Sequence, residues 1–175
     1  YSGQFVNSAL HLSKDNSSSA IIGGGDGGVA RECLSKGFDI IDWYELDPEV
    51  VKVCQKHLPK ICGEVKANNN VKTYWGDAFE SIKKVKDSKY DKIFVDLNDD
   101  QYCIDLAAKN MKGLKRILKP GGVITAQVGC LSKKPRQVNN WLKVLSQNFG
   151  NSKLDEVFIP SFDCRWNFAS STMNS

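Results

Sequence analysis

The sequence predicts a doubly wound, mainly parallel α/β sheet with an antiparallel pair at its C-terminal edge. Three observations carry that expectation. Short apolar runs alternate with helix-periodic segments along most of the 175 residues. The first such run passes straight into a glycine-rich turn, AIIGGGDGGVARE at 20–32. Successive strand-like runs also end on acids, at Glu45, Asp77 and Asp96, with Asp26 inside the glycine turn itself.

The elements follow in order. Residues 20–22 read as a buried parallel strand stopped by glycines, and a helix continues over 29–34. Gly37 stops that helix, and FDIIDWYEL at 38–46 supplies a second strand ending at Glu45. Asp47-Pro48 opens the next helix, with aspartate at the N-cap, proline in the first turn, and valines with Cys54 on one face. VKTYW at 71–75 alternates as a third strand, stops at Gly76-Asp77, and gives way to a helix over 78–85. YDKIFVDL at 90–97 is the fourth strand and runs into the acidic DLNDD. Leu106, Met111, Leu114, Ile117 and Leu118 recur at helical spacing over 104–118. Lys119-Pro120-Gly121-Gly122 terminates that helix, and 123–128 is the fifth strand. After a helix over 138–149, the apolar segments 157–159 and 166–169 form the antiparallel edge pair around PSFDCR. DNSSS at 15–19 and the three asparagines at 68–70 read as loops.

Composition fits one globular domain over 1–175, with 41% hydrophobic and 25% charged residues. No apolar run approaches the ~20 residues of a membrane span. YSGQFVNSAL at the start has no basic region followed by a long apolar stretch, so no signal peptide is expected. The chain starts without methionine, which suggests that an N-terminal portion is missing. The cysteines at 33, 54, 62, 103, 130 and 164 form no CxxC pair and read as free thiols in a reducing, cytoplasmic setting. Cys54, His57 and Cys62 are spaced loosely like metal ligands but lack a fourth, so a helix and its following loop explain them without metal. The net charge of +4 is spread along the chain, without the basic and aromatic stripe of a nucleic-acid binder. Lys133-Lys134-Pro135-Arg136 reads as a solvated loop.

Ligands of open α/β sheets bind beyond the carboxyl ends of the strands. Gly23, Gly25 and Gly28 fit G-x-G-x-x-G, and Glu45 follows at the spacing of an acid that takes both ribose hydroxyls. A dinucleotide would lay its pyrophosphate on the helix N-terminus, where Asp26 would repel it. A nucleoside with a cationic sulfonium arm carries no phosphate and favours a nearby carboxylate. The acids therefore point to S-adenosylmethionine or a relative.

GGGDGGVARE, YELDPEVV, GDAFE, YDKIFVDLNDD and KPGGVITAQ, in that order, resemble the polyamine aminopropyltransferases, the spermidine and spermine synthases. The resemblance runs over nearly the whole chain from Gly23 onward, and PSFDCRWNFASS is similar to the family's tail. KICGEV and the DL after Val95 look more like spermine synthase than spermidine synthase. The resemblance implies a Rossmann-like class I methyltransferase fold with decarboxylated S-adenosylmethionine as cofactor. It puts Asp26 on the primary amine of the aminopropyl arm, Glu45 on the ribose, Asp77 with Ala78 at the adenine, and Asp96 as catalytic base. The transfer chemistry agrees. An acceptor amine, protonated at neutral pH like lysine with a pKa of ~10.4, must lose a proton as it attacks the carbon beside the sulfonium. A carboxylate can hold that ammonium and accept the proton.

Asp99 and Asp100 would attract the rest of the polycation, and Gln127 would face the cleft. Tyr1 and Asp163 are similar to substrate-contacting positions of the family. Many members have proline where Asp100 stands, and a longer loop after it. The family's N-terminal β-rich domain, which supports the substrate pocket and a homodimer, is missing apart from a trace. Two other functions remain open: an S-adenosylmethionine-dependent amine N-methyltransferase, and a catalytically silent binding or scaffold homologue. Asp26 favours the decarboxylated cofactor, because it would face the carboxylate of the ordinary one. Trp43, Tyr44 and Trp75 read as packing residues, and His11 and His57 as surface residues.

Overall fold

The computed structural model describes residues 1–63 and 65–174. Glu64 of KICGEV lies outside the described residues. β1 (Ser18–Gly23) is covered on both faces, as its unbroken apolar run requires. It pairs in parallel with β2 (Ile40–Glu45) on one side and β4 (Tyr90–Asp96) on the other. β3 (Val71–Trp75) extends the parallel set beyond β2, and β5 (Leu118–Cys130) extends it beyond β4. β7 (Cys164–Thr172) runs antiparallel to β5, and β6 (Ser152–Ile159) antiparallel to β7. The resulting order, β3-β2-β1-β4-β5-β7-β6, reverses between β1 and β4. A crevice opens at the carboxyl ends of these two strands.

Alternation along the strands feeds two cores. Ile21 and Phe94 point to the face covered by α1 (Ser2–Leu12) and α2 (Gly28–Ser35), where Phe5, Val29 and Phe168 join them. Ile22, Ile93 and Val95 point to the other face, packed by α5 (Ala78–Ile82), α6 (Gln101–Ile117) and α7 (Pro135–Phe149). Two further helices, α3 (Pro48–His57) and α4 (Pro59–Cys62), follow β2.

Most expected elements are present, and the differences have local causes. α1 has no counterpart among the expected elements, although Phe5, Val6 and Ala9 fall on one helical face. Ser18 and Ser19 belong to β1 and not to a loop, because Asp91 and the Lys89 carbonyl satisfy Ser18 inside the sheet. Lys119-Pro120-Gly121-Gly122 does not end a helix. α6 stops at Ile117, Leu118 pairs with Tyr90 at once, and the four residues form a register shift before Val123 meets Lys92. α5 is shorter than expected, whereas α6 and α7 start three residues earlier. β6 and β7 run for eight and nine residues, because pairing carries their polar positions that hydrophobic pattern alone misses.

The cysteines also need a correction. Cys130 and Cys164 form a disulfide with Cα atoms 6.4 Å apart, which leaves Cys33, Cys54, Cys62 and Cys103 as free thiols. Antiparallel β5 and β7 bring these two strand ends together across 34 residues of sequence. Trp43 and Tyr44 are core residues as expected, but Trp75 is 43% exposed with the Lys66 ammonium over its ring. Among the described residues, no helix is long and apolar enough to cross a membrane.

Candidate active site

Gly23, the last residue of β1, is the register partner of Asp96, the last residue of β4. The Gly24 N–H donates to the Asp96 carbonyl at 3.1 Å. Both glycines have positive φ, +83° and +72°. A Cβ on Gly23 would lie 2.5 Å from the Asp96 carbonyl oxygen, and one on Gly24 would lie 2.9 Å from Asp96 Oδ2. The glycine turn is thus the shape that lets the loop backbone lie against this carboxylate.

The other acids of the loop ends are held by backbone. Asp26 Oδ1 accepts from the Gly28 N–H at 2.8 Å, which turns the carboxylate back over the start of α2. Glu45 is buried; its Oε1 accepts from the Asp47 N–H at 3.0 Å while Oε2 lies toward Gly25. Asp77 caps α5, with Oδ1 accepting from the Phe79 N–H at 2.8 Å just beyond Ala78, the first helical residue. Among the described residues, no lysine or arginine forms an ion pair with Asp26, Glu45, Asp77 or Asp96.

Asp96 is set apart from these by its surroundings. Burial pushes its carboxyl up to about 7, and the charges of Asp26 and Glu45 push the same way. A hydrogen bond from the Tyr1 hydroxyl to Oδ1, 2.6 Å long, opposes the rise. Tyr1 itself is raised far above the usual phenol range by burial and by Asp96, so it stays a donor. Its ring sits at the head of α1, edge-on to Phe5, Phe162 and Phe168 at 5.9, 6.0 and 5.3 Å. A carboxylate poised near neutrality suits proton transfer better than one left at its ordinary value.

The residues expected to hold the far end of a substrate are more dispersed. Asp100 caps α6, accepting from the Cys103 N–H at 2.8 Å. Gln127 is buried and has partners at both ends of its amide. It donates to the Leu97 carbonyl and accepts from Trp166 Nε1 at 3.1 Å, bracing the acidic loop against β7. Asp163 is exposed, with φ of 45°, at the end of the 3-10 turn Pro160–Phe162. Asp99 forms an ion pair with Lys134 at 2.9 Å.

Residues 133–136 are exposed, as a solvated segment requires, but Pro135 and Arg136 open α7 and Lys133 also donates to the carbonyls of Phe162 and Asp163. Phe162 and Trp166, stacked at a tilt 4.6 Å apart, form a wall beside Tyr1. Both stand in the quoted tail motif, but spacing alone gives them no role. A cavity of about 450 Å³ between Tyr44, Tyr74, Ser81 and lysines 84, 86 and 89 contains none of these acids. No three His, Cys, Asp or Glu side chains among the described residues converge as a metal ion would need.

Sheet order, glycine turn and strand-end acids together define an α/β domain of the Rossmann-like methyltransferase type. The chain matches the spermine/spermidine synthase domain family over residues 1–174, and it belongs to that family. A polyamine aminopropyltransferase of Prochlorococcus marinus strain MIT 9215 is 35% identical over 176 residues, covering 95% of this chain and 61% of that protein. The protein of the same name in strain NATL1A is 36% identical over 160 residues, covering 86% and 54%. The chain thus spans about three-fifths of the length of the curated relatives it matches. The structure of spermidine synthase from Thermotoga maritima superposes with a TM-score of 0.87 at 20% identity, over 98% of this chain and 59% of that one. A spermidine synthase in complex with the transition state analogue AdoDATO gives 0.83, also at 20% identity, over 98% and 58%. At that identity the two structures establish the fold.

Proposed function

We propose that the protein transfers the aminopropyl group of decarboxylated S-adenosylmethionine to an amine of a polyamine, releasing methylthioadenosine. One observation carries this above all. Asp96, pushed up to about 7, stands at the strand ends beside Asp26, Glu45 and Asp77, and none of these four carboxylates forms an ion pair among the described residues. Such a site suits a doubly cationic nucleoside and a cationic acceptor, and it opposes phosphate. The names of the Prochlorococcus relatives support the same reaction.

The donor set fits the nucleoside. Glu45, anchored through Oε1, can take the ribose hydroxyls with Oε2. Asp77 and Ala78 at the head of α5 suit the adenine. The backbone of Gly23, Gly25 and Gly28 allows close approach, and the second oxygen of Asp26 can receive the primary amine of the arm. When bound, the nucleoside supplies a carbon activated by its sulfonium, from which methylthioadenosine leaves. Asp96 holds the acceptor ammonium, takes its proton, and aligns the freed amine with that carbon. The Tyr1 hydroxyl orients the base, and Asp99 and Asp163 face the remainder of the acceptor. On this view residues 1–175 act as one catalytic domain within a homodimer.

An N-methyltransferase acting on amines is the second reading, since it would use the same loop. Asp26 favours the first reading, because ordinary S-adenosylmethionine would set a carboxylate against it. Calorimetric titration with both nucleosides should show tighter binding of the decarboxylated form, and the reverse order would sink the proposal. Release of methylthioadenosine with putrescine or spermidine tests turnover directly.

A further inference from the structure

Residues 130–134 join the two walls of the acceptor side. Cys130 is bonded to Cys164 at the start of β7. Lys133 Nζ donates to the carbonyls of Phe162 and Asp163 at 3.2 and 3.0 Å. Lys134 reaches the opposite way, with Nζ 2.9 Å from Asp99 Oδ2. The turn is tight, since the N–H groups of both lysines donate to the Cys130 carbonyl at 3.1 and 2.7 Å. Its backbone therefore holds the Lys134 ammonium close to Asp99.

Asp99 is equally well placed. It lies over Gly129, whose φ is +93° and where a Cβ would come within 3.0 Å of Asp99 Oδ2. It stands three residues after Asp96 on the same loop, and its charge is among those that raise the Tyr1 hydroxyl. Asp96 and Asp99 are thus two carboxylates of one loop. The inner one has no cation, and the outer one is held by a cation of the protein's own.

We propose that Lys134 determines acceptor specificity: its ammonium occupies the Asp99 carboxylate that a polyamine's second ammonium would take, so the site disfavours long polycations relative to amines engaging Asp96 alone. The proposal rests on the transfer reading. A tethered ammonium competes at a high effective concentration, whatever the concentration of free amine. The side chains of Lys134 and Asp99 keep 48% and 21% of their surface exposed, so the pair is weak enough to be displaced. Lys134 thus acts as a graded competitor and not as a block.

The test compares propylamine, with one ammonium, and spermidine, with three, by methylthioadenosine release. In Lys134→Met the ratio of the spermidine KM to the propylamine KM should fall by about three- to fivefold. Lys134→Arg keeps the cation and should hold the ratio within roughly twofold. Asp99→Asn should cancel the effect of Lys134→Met in a double-mutant cycle. A loosened turn would instead change kcat or Tm and move both amines together. An unchanged ratio in Lys134→Met overturns the proposal. If the unsubstituted protein turns over no amine, the transfer reading fails instead, and calorimetric titration with the same two amines still judges Lys134. A gain confined to spermidine supports its role, and equal affinities overturn it.

Discussion

The two ends of the parallel strands treat their acids in opposite ways. In the amino-terminal half, buried Asp42 meets the Lys89 ammonium and the Tyr90 hydroxyl. Asp91 meets Lys119 at 2.9 Å and both the N–H and the hydroxyl of Ser18. Burial alone would push Asp91 up, but Lys119 and Ser18 together hold it below the usual carboxylate range. At the carboxyl ends, among the described residues, Asp26, Glu45 and Asp77 receive backbone N–H groups alone, and the Asp96 carboxylate receives a phenol alone. Burial there prevails and lifts Asp96 to about 7. Charges compensated inside the fold support it, whereas charges left without a cation at the crevice await one from a ligand.

The largest break in this contrast should come from Asp96→Asn. The amide keeps the shape but cannot take a proton, so methylthioadenosine release should fall by roughly 10²–10⁴-fold. Nucleoside affinity should stay within about threefold, because the proposed contacts of Glu45 and Asp77 survive. Simultaneous loss of binding would show that Asp96 holds the nucleoside and is not the base. Stability should move the other way. A carboxyl raised from an unfolded value of ~3.9 to about 7 costs stability above pH 7 and costs none below about pH 4. Asp96→Asn should therefore stabilise the fold at pH 8 by roughly 1–2 kcal/mol after allowance for solvent at the crevice, read as a higher Tm. The gain should vanish near pH 4.

Asp91→Asn should give the mirror image. Its depressed value contributes stability that is present above ~pH 4 and is lost as the pH falls through the folded value. The substitution should cost roughly 1–3 kcal/mol at pH 7, read by urea unfolding, with kcat/KM unchanged. A drop in turnover at full stability would place Asp91 in the reaction and dissolve the distinction between the two ends.

What the sequence reveals divides along the same line. Asp26, Glu45, Asp77 and Asp96 are legible because a strand end is marked locally, by the end of an apolar run followed by glycine or a cap. The partners that give these acids their properties are remote in sequence. Tyr1 reaches Asp96 across 95 residues, by way of a helix that no expected element anticipates. Lys134 reads as part of a solvated segment until β5 and α6 set its turn beside Asp99. Asp100 shows the converse limit, since aspartate serves as a helix cap or as a ligand, and its place before α6 gives it a cap's partner. Polar type and spacing identify candidates, but only tertiary packing shows which carboxylates lack a cation.

The smallest expected effect tests how finely Asp96 is set. The hydrogen bond from the Tyr1 hydroxyl opposes burial at this carboxylate. Tyr1→Phe removes that donor and keeps the ring against Phe5, Phe162 and Phe168. Without the bond the charged form loses a stabilising contact, so the Asp96 value should rise further, by about one unit. A base must be deprotonated to act, so the acid limb of kcat/KM should shift to higher pH by that amount. At pH 7 the variant should then be a few-fold slower, and it should regain most of its rate as the medium becomes more alkaline. The acceptor's own ionisation, near ~10, is common to both proteins and cancels in the comparison. A uniform loss of rate at every pH would instead mean that Tyr1 positions the acceptor and leaves the base untouched.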